Sequence, residues 1–186
     1  MNKQEILRYM RTNSKTDNKQ ILDLVDWAMS EIEASVTPKS LYRIFECTVN
    51  EDELIIGAFH FKSRRLAENL RGCARVVVFG ATLGTGCDRL INSALKTDTA
   101  RAVALQAAAA SKIEEVCDSL EEEIKAQHRV KLRQRYSPGY FDLDITEQKK
   151  IFALIELTKR IGLTLTDTCE MVPVKSVTAF IGIDEK

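Results

Sequence analysis

No CxxC pair occurs in this chain, and His60 and His128 are its only histidines. The five cysteines (Cys47, Cys73, Cys87, Cys117 and Cys169) are odd in number and at least 14 residues apart. A zinc knuckle or an iron–sulfur cluster needs closely spaced ligands, so no bound metal is expected. The thiols read instead as reduced, mostly buried cysteines of a cytoplasmic protein. An excess of either charge is also lacking: Lys+Arg and Asp+Glu both number 27, and the pI is near 6.7. Neither nucleic acid nor a membrane surface is therefore an expected partner. No apolar run reaches the roughly 18 residues of a membrane span, and Met1-Asn2-Lys3-Gln4-Glu5-Ile6-Leu7-Arg8 has no apolar signal core. Repeats, linkers and low-complexity tracts are missing as well. With 186 residues, 45% hydrophobic and 29% charged, the chain is expected to form one domain that buries about 70% of its unfolded surface. That domain, 1–186, divides into a helical segment 1–37 and a core 38–186.

Several apolar patterns are clear. Ile6, Leu7 and Met10 share the face of a short helix, and Ile21, Leu24, Val25, Ala28, Met29 and Ile32 recur at helical spacing over 17–35. The runs Leu41–Val49 and Leu54–Phe61, split by Asn50-Glu51-Asp52, predict a β-hairpin. A short helix over 62–70 leads to Val76-Val77-Val78-Phe79, the most strand-like run in the chain. The longest helix is predicted over 97–127, with Ala110, Ile113, Cys117, Leu120 and Ile124 buried and Glu115, Glu121, Glu122 and Glu123 facing water. A further helix is predicted over 146–161, ending at Gly162, with a last strand at Ser176–Ile183. Helices and strands fall in blocks. The predicted class is α+β, an antiparallel twisted sheet packed with several helices.

The most informative stretch is Arg135-Tyr136-Ser137-Pro138-Gly139-Tyr140. Pro at the second turn position and Gly at the third predict a type II turn over Ser137–Tyr140. Gly139 also lets a ligand approach the backbone without meeting a Cβ. Arg135 offers a planar fork for a carboxylate or phosphate, and Tyr140 a ring face and a hydroxyl. Together they suit a small zwitterion with a cationic centre. The same residues also read as an ordinary turn with a surface Arg and a packed Tyr.

Arg135-x-x-x-Gly139-Tyr140, then Glu147-Gln148-Lys149 and a helix, then Leu165-Thr166-Asp167-x-x-x-Met171-x-Pro173-x-x-Ser176-Val177, resembles the S-adenosylmethionine-binding activation domain of cobalamin-dependent methionine synthase. The likeness covers residues 133–183, and Glu114-x-x-x-Asp118-x-Leu120-x-Glu122 extends it upstream. The first 75 residues look more like those of short, stand-alone versions of the domain. The resemblance implies an S-adenosylmethionine-binding accessory protein that serves the reductive methylation of an oxidised cobalamin. The cobalamin is held by a methionine synthase or another corrinoid protein, and a flavodoxin- or ferredoxin-like reductant supplies the electron. It also implies roles. Arg135 pairs with the ligand's carboxylate, Ser137 and Gly139 contact it through the backbone, Glu114 accepts hydrogen bonds from its polar groups, and Tyr140 lies beside the sulfonium methyl as the catalytic residue.

The chain departs from the family in three places. An acidic ligand contact in the family's N-terminal segment finds no counterpart, the acidic position six residues before the motif arginine is Arg129, and a late aromatic contact is not matched. Two other readings stay open. The run Gly80-x-x-x-Gly84-x-Gly86 after a strand suggests an independent Rossmann-type methyltransferase, although it is neither G-x-G-x-x-G nor a P-loop. A non-catalytic module that binds corrinoid proteins is the second. Finally, Arg129-Val130-Lys131-Leu132-Arg133-Gln134-Arg135 predicts a strand with four cations on one face, either a docking surface or a basic edge. Cys87, at a helix start, is read as structural.

Overall fold

Residues 1–184 are described by a computed structural model. Its centre is a four-stranded antiparallel sheet of order β1 (Lys39–Glu46), β5 (Arg75–Thr82), β9 (Ser176–Asp184), β6 (Lys131–Leu132). Both faces are covered, so the inner strands β5 and β9 are mostly apolar and buried on both faces rather than alternating. Val77, Phe79 and Ala81 of β5, with Ala179, Ile181 and Ile183 of β9, pack against a helical layer. That layer comprises α1 (Lys3–Tyr9), α2 (Lys19–Ser35), α4 (Thr85–Leu95) and α5 (Thr99–His128). Val76, Val78 and Phe180 face the opposite way, toward α3 (Arg64–Leu70), α6 (Gln148–Ile155), α7 (Leu157–Ile161) and a small second sheet. On that side Phe180 meets Phe61 edge to face at 4.8 Å, and burying each ring contributes on the order of 2–3 kcal/mol.

The long helix runs one or two residues later than its apolar period predicts. Asp98 caps it by accepting from Arg101 N at 3.1 Å, and Arg129 ends it in the left-handed region at φ 53°. At about 1.5 Å per residue it spans some 45 Å, long enough to back the sheet and to deliver Glu114, Asp118 and Glu121 to its edge. Its apolar stripe is buried as expected at Ile113, Cys117, Leu120 and Ile124.

Four expectations need correction. The runs 41–49 and 54–61 are not two arms of one hairpin. β1 pairs with β5, and the chain then leaves at Cys47 to build a separate sheet of β2 (Thr48–Val49), β3 (Glu53–Ile56) and β4 (Phe59–Lys62). The acidic turn does close at Asn50 N to Glu53 O, 2.9 Å, but Gly57, at φ 58°, folds the second run back on itself. The helix predicted over 146–161 is a short 3₁₀ turn, Ile145–Glu147, followed by α6 and α7, interrupted at Glu156 with φ 53°. Glu121 does not face water but bonds to Arg135.

The basic stretch, finally, does not present one cationic face. Leu132 pairs with Ile183 and Tyr136 with Phe180, so four steps along one strand match three along the other. One extra residue is therefore bulged out between them, and a bulge re-aims the side chains around it. Arg133 accordingly reaches Asn69 O of α3 at 2.7 Å and Asp184 at 3.0 Å, whereas Arg135 turns to α5 on the other side.

The glycine run after β5 is a packing device. A Cβ on Gly86 would sit 2.1 Å from Ser35 O, so the start of α4 is pressed against the end of α2. All strand pairs among the described residues are antiparallel. A Rossmann-type arrangement, which needs a parallel sheet, is thereby overturned.

Candidate functional site

An open cleft of about 1070 Å³ lies where the 134–141 segment, α3, α5 and the first residues of β9 meet. One wall is α3, with Arg65, Glu68 and Asn69, and another is α5, with Glu114 and Glu121. The floor is formed by Gln148 and Thr178, buried side chains joined to each other at 3.5 Å, with Gln148 Nε2 donating to Cys169 O at 3.2 Å. Tyr140, Phe141 and Ile145 form an apolar lip, with Tyr140 65% and Phe141 84% exposed.

The motif turn adopts the predicted geometry. Tyr140 N donates to Ser137 O at 3.4 Å, and Gly139 sits at φ 88°, the type II signature. Two further contacts hold it. Phe141, itself at φ 52°, stacks on Tyr136 with centroids 6.2 Å apart, and Tyr136 Oη reaches Tyr140 O at 3.4 Å. Asp142 then ties the turn to α3. It accepts from Ser63 Oγ at 2.5 Å, Arg64 N at 2.8 Å and Arg65 N at 3.3 Å, capping that helix from a distant part of the chain. The Ser63 hydroxyl, helped by these backbone N–H groups, holds the Asp142 carboxyl below its ordinary pKa.

Four of the five sequence-predicted site residues line the cleft: Glu114, Arg135, Ser137 and Tyr140. Gly139 lies in the turn behind them, where a Cβ would come within 3.0 Å of Ile145 Cδ1. What the motif does not foretell is the partnership among the charged ones. Arg135 bonds to Glu114, to Asp118 at 2.7 Å and to Glu121 at 2.5 Å. Burial opposes its charge, yet hydrogen bonds to Asp118, Glu121 and Glu114 overcome that cost and raise the guanidinium pKa above its ordinary value. Among the described residues its Nε–H and one Nη2–H carry no protein partner. Asp118, which the sequence offers only as part of the upstream likeness, and Glu121, expected to face water, are the further functional candidates. Their signal is the spacing Glu114, Asp118, Glu121, a single stripe along α5.

No cysteine is among the residues that line the cleft. Burial pushes the thiols of Cys47 and Cys87 up to about 11 and that of Cys117 up to about 12. All five are free. Cys87 is fully buried beneath the start of α4, which fits a structural role. No helix among the described residues is long and apolar enough to cross a membrane.

The family described as vitamin B12 dependent methionine synthase, activation domain, matches residues 66–186. Among solved structures, the crystal structure of the MetH reactivation domain bound to AdoHcy is similar, with a TM-score of 0.68 and 16% identity. The match covers 88% of this chain and 64% of that one, so this chain spans somewhat under two thirds of its length. At that identity the likeness speaks for the fold, an α+β arrangement of antiparallel sheet and helices. No curated protein matches the chain in sequence.

Proposed function

This chain belongs to the activation-domain family of vitamin B12-dependent methionine synthase, and from that premise we propose that it is an S-adenosylmethionine-binding accessory module for the reductive methylation of cob(II)alamin. The cobalamin would reside on a methionine synthase or another corrinoid partner. What that partner supplies is a cobalt centre which, once reduced by one electron from a flavodoxin- or ferredoxin-like protein, takes up the ligand's methyl group. We assign the work to the cytoplasm and to one unit over 1–186.

The single observation that supports this reading is the meeting of Glu114, on α5, with Arg135, Ser137 and Tyr140, of the motif turn, around one cleft. Its size is compatible with a nucleoside ligand. The free Nε–H and Nη2–H of Arg135 suit the ligand's carboxylate. The backbone of Ser137–Gly139, brought close because Gly139 has no Cβ, suits the adenosine side. Glu114 suits the ligand's ammonium. Tyr140, exposed on the lip, would set its ring against the sulfonium, where the face of an aromatic ring favours positive charge. With Phe141 and Ile145 it would meet the corrin and keep water from the transferring methyl.

Calorimetric titration of S-adenosylmethionine into the purified protein, with and without a cobalamin-loaded corrinoid protein, tests the proposal. Binding should be measurable, and Tyr140→Ala should slow methyl transfer to the reduced corrinoid by about tenfold or more while leaving the fold intact. Absence of binding under both conditions would overturn it and would favour a module that only docks on the corrinoid protein.

A further inference from the structure

The α5 wall of the cleft carries more negative charge than its guanidinium neutralises. Glu114 and Glu121 line the cleft and Asp118, 67% exposed, stands just outside that lining. The three sit four and three residues apart on one helix face, and all three bond to Arg135. Like charges at that spacing repel. One positive charge set against three negative leaves two uncompensated. The neighbouring cations bond to other acids: Arg65 lies 3.4 Å from Glu68, which Arg64 shares at 3.2 Å, and Arg133 holds Asp184 and Asn69 O. Lys125 holds Glu122 at 2.7 Å while feeling Glu121 and Asp118 only through space. Glu121 is 15% exposed, so solvent screens its field only in part.

A surplus of this kind discriminates ligands by net charge. S-adenosylmethionine bears a carboxylate, an ammonium and a sulfonium, and is a net monocation near neutrality. S-adenosylhomocysteine lacks the methyl and the sulfonium charge and is a neutral zwitterion of almost the same shape. Resting on the ligand assigned above, we propose that Asp118 and Glu121 are specificity-determining residues: with Glu114 they keep the cleft net negative, so that it holds the sulfonium form and releases the demethylated thioether. Arg135 receives the carboxylate common to both ligands and so does not by itself tell them apart. The two acids behind it do.

The test compares calorimetric affinities of both ligands for the full chain and for Asp118→Asn, Glu121→Gln and the double variant. Each is nearly isosteric and leaves Glu114 to hold Arg135. The ratio of S-adenosylmethionine to S-adenosylhomocysteine affinity should fall about three- to fivefold in Glu121→Gln and by less, about twofold, in the solvent-screened Asp118→Asn, chiefly through the sulfonium ligand. In the unaltered protein the same ratio should shrink as ionic strength rises from about 0.01 M to about 1 M and the Debye length falls from roughly 30 to 3 Å. That arm needs no variant to fold. A ratio that stays constant across variants and salt overturns the inference while leaving the proposed function standing. A protein that binds neither ligand overturns both.

Discussion

Replacing Arg135 with Ala removes the ion pairs that join the bulged segment after β6 to the long helix. Its three contacts are unequal. Asp118 is 67% exposed, so its pairing is worth about 0.2–1 kcal/mol. Glu121 is only 15% exposed, which places its charge-assisted bond near the upper end of about 1.5–3 kcal/mol. Glu114, 38% exposed, falls between them. Losing the guanidinium also leaves three carboxylates repelling one another at helical spacing, about 0.2–0.5 kcal/mol per pair. The expected loss is therefore about 3–5 kcal/mol, the scale for removing one partner of a largely buried pair. Against a typical stability of about 5–15 kcal/mol that is severe. Urea unfolding of a double-mutant cycle gives the partition. Arg135→Ala with Glu121→Gln should show a coupling of about 2.5 kcal/mol, and Arg135→Ala with Asp118→Asn under about 0.5 kcal/mol. Should Arg135→Ala prove too unstable to measure, Arg135→Lys, which keeps the charge and loses the fork, completes the same cycle. Equal couplings, or additive losses at both positions, would refute the reasoning from burial.

Two further outcomes are expected. Asp142→Ala should lower stability by about 1 kcal/mol, the usual loss of a helix cap, and should weaken S-adenosylmethionine binding by loosening the 137–142 turn. Because the native Asp142 carboxyl is depressed, chiefly by the Ser63 hydroxyl, its contribution is present above its unfolded pKa of about 3.9 and disappears as pH falls through the lower native value. Urea midpoints of the native protein and the variant should therefore converge in acid. Burial raises the thiols of Cys87 and Cys117 to about 11 and about 12. The unfolded chain thus releases these protons first, so stability should begin to decline above about pH 8.5. Iodoacetamide should spare both thiols in the folded protein at neutral pH. Rapid labelling of either before unfolding would contradict their burial.

Much of the fold is legible in local patterns because local patterns decide it. α2 and α5 carry long apolar periods with capping residues at their starts, and β9 is apolar at most of its positions, so each forms where its residues indicate. The failures share a cause: they depend on partners far along the chain. Cys47 N pairs with Ala74 O, and nothing within 41–61 reveals that β1 prefers β5 to β3. Glu156 breaks the late helix where its side chain meets Arg43, at 3.6 Å, as well as Arg160. The Gly84-x-Gly86 pattern resembles a phosphate loop because both uses need a missing Cβ. Only the position of Ser35 O shows that helix packing, not a ligand, fills the space.

The candidate site divides along the same line. The Pro138-Gly139 turn is written in two adjacent residues, and its backbone follows from them alone. The charge state of the cleft is not local at all. Arg135 reads from sequence as a free cation awaiting an anion, yet a single bulged residue between Leu132 and Tyr136 swings it onto a helix that begins 36 residues earlier. There it meets three acids whose spacing on α5 makes sense only with a cation between them. The arginine is thus already positioned before any ligand arrives, and the charge left over belongs to the carboxylates. That reverses the electrostatic character a reading of Arg135-x-x-x-Gly139-Tyr140 alone would assign: the cleft presents anions to a ligand, and the ligand best matched to it is one that enters with more positive charge than it carries away.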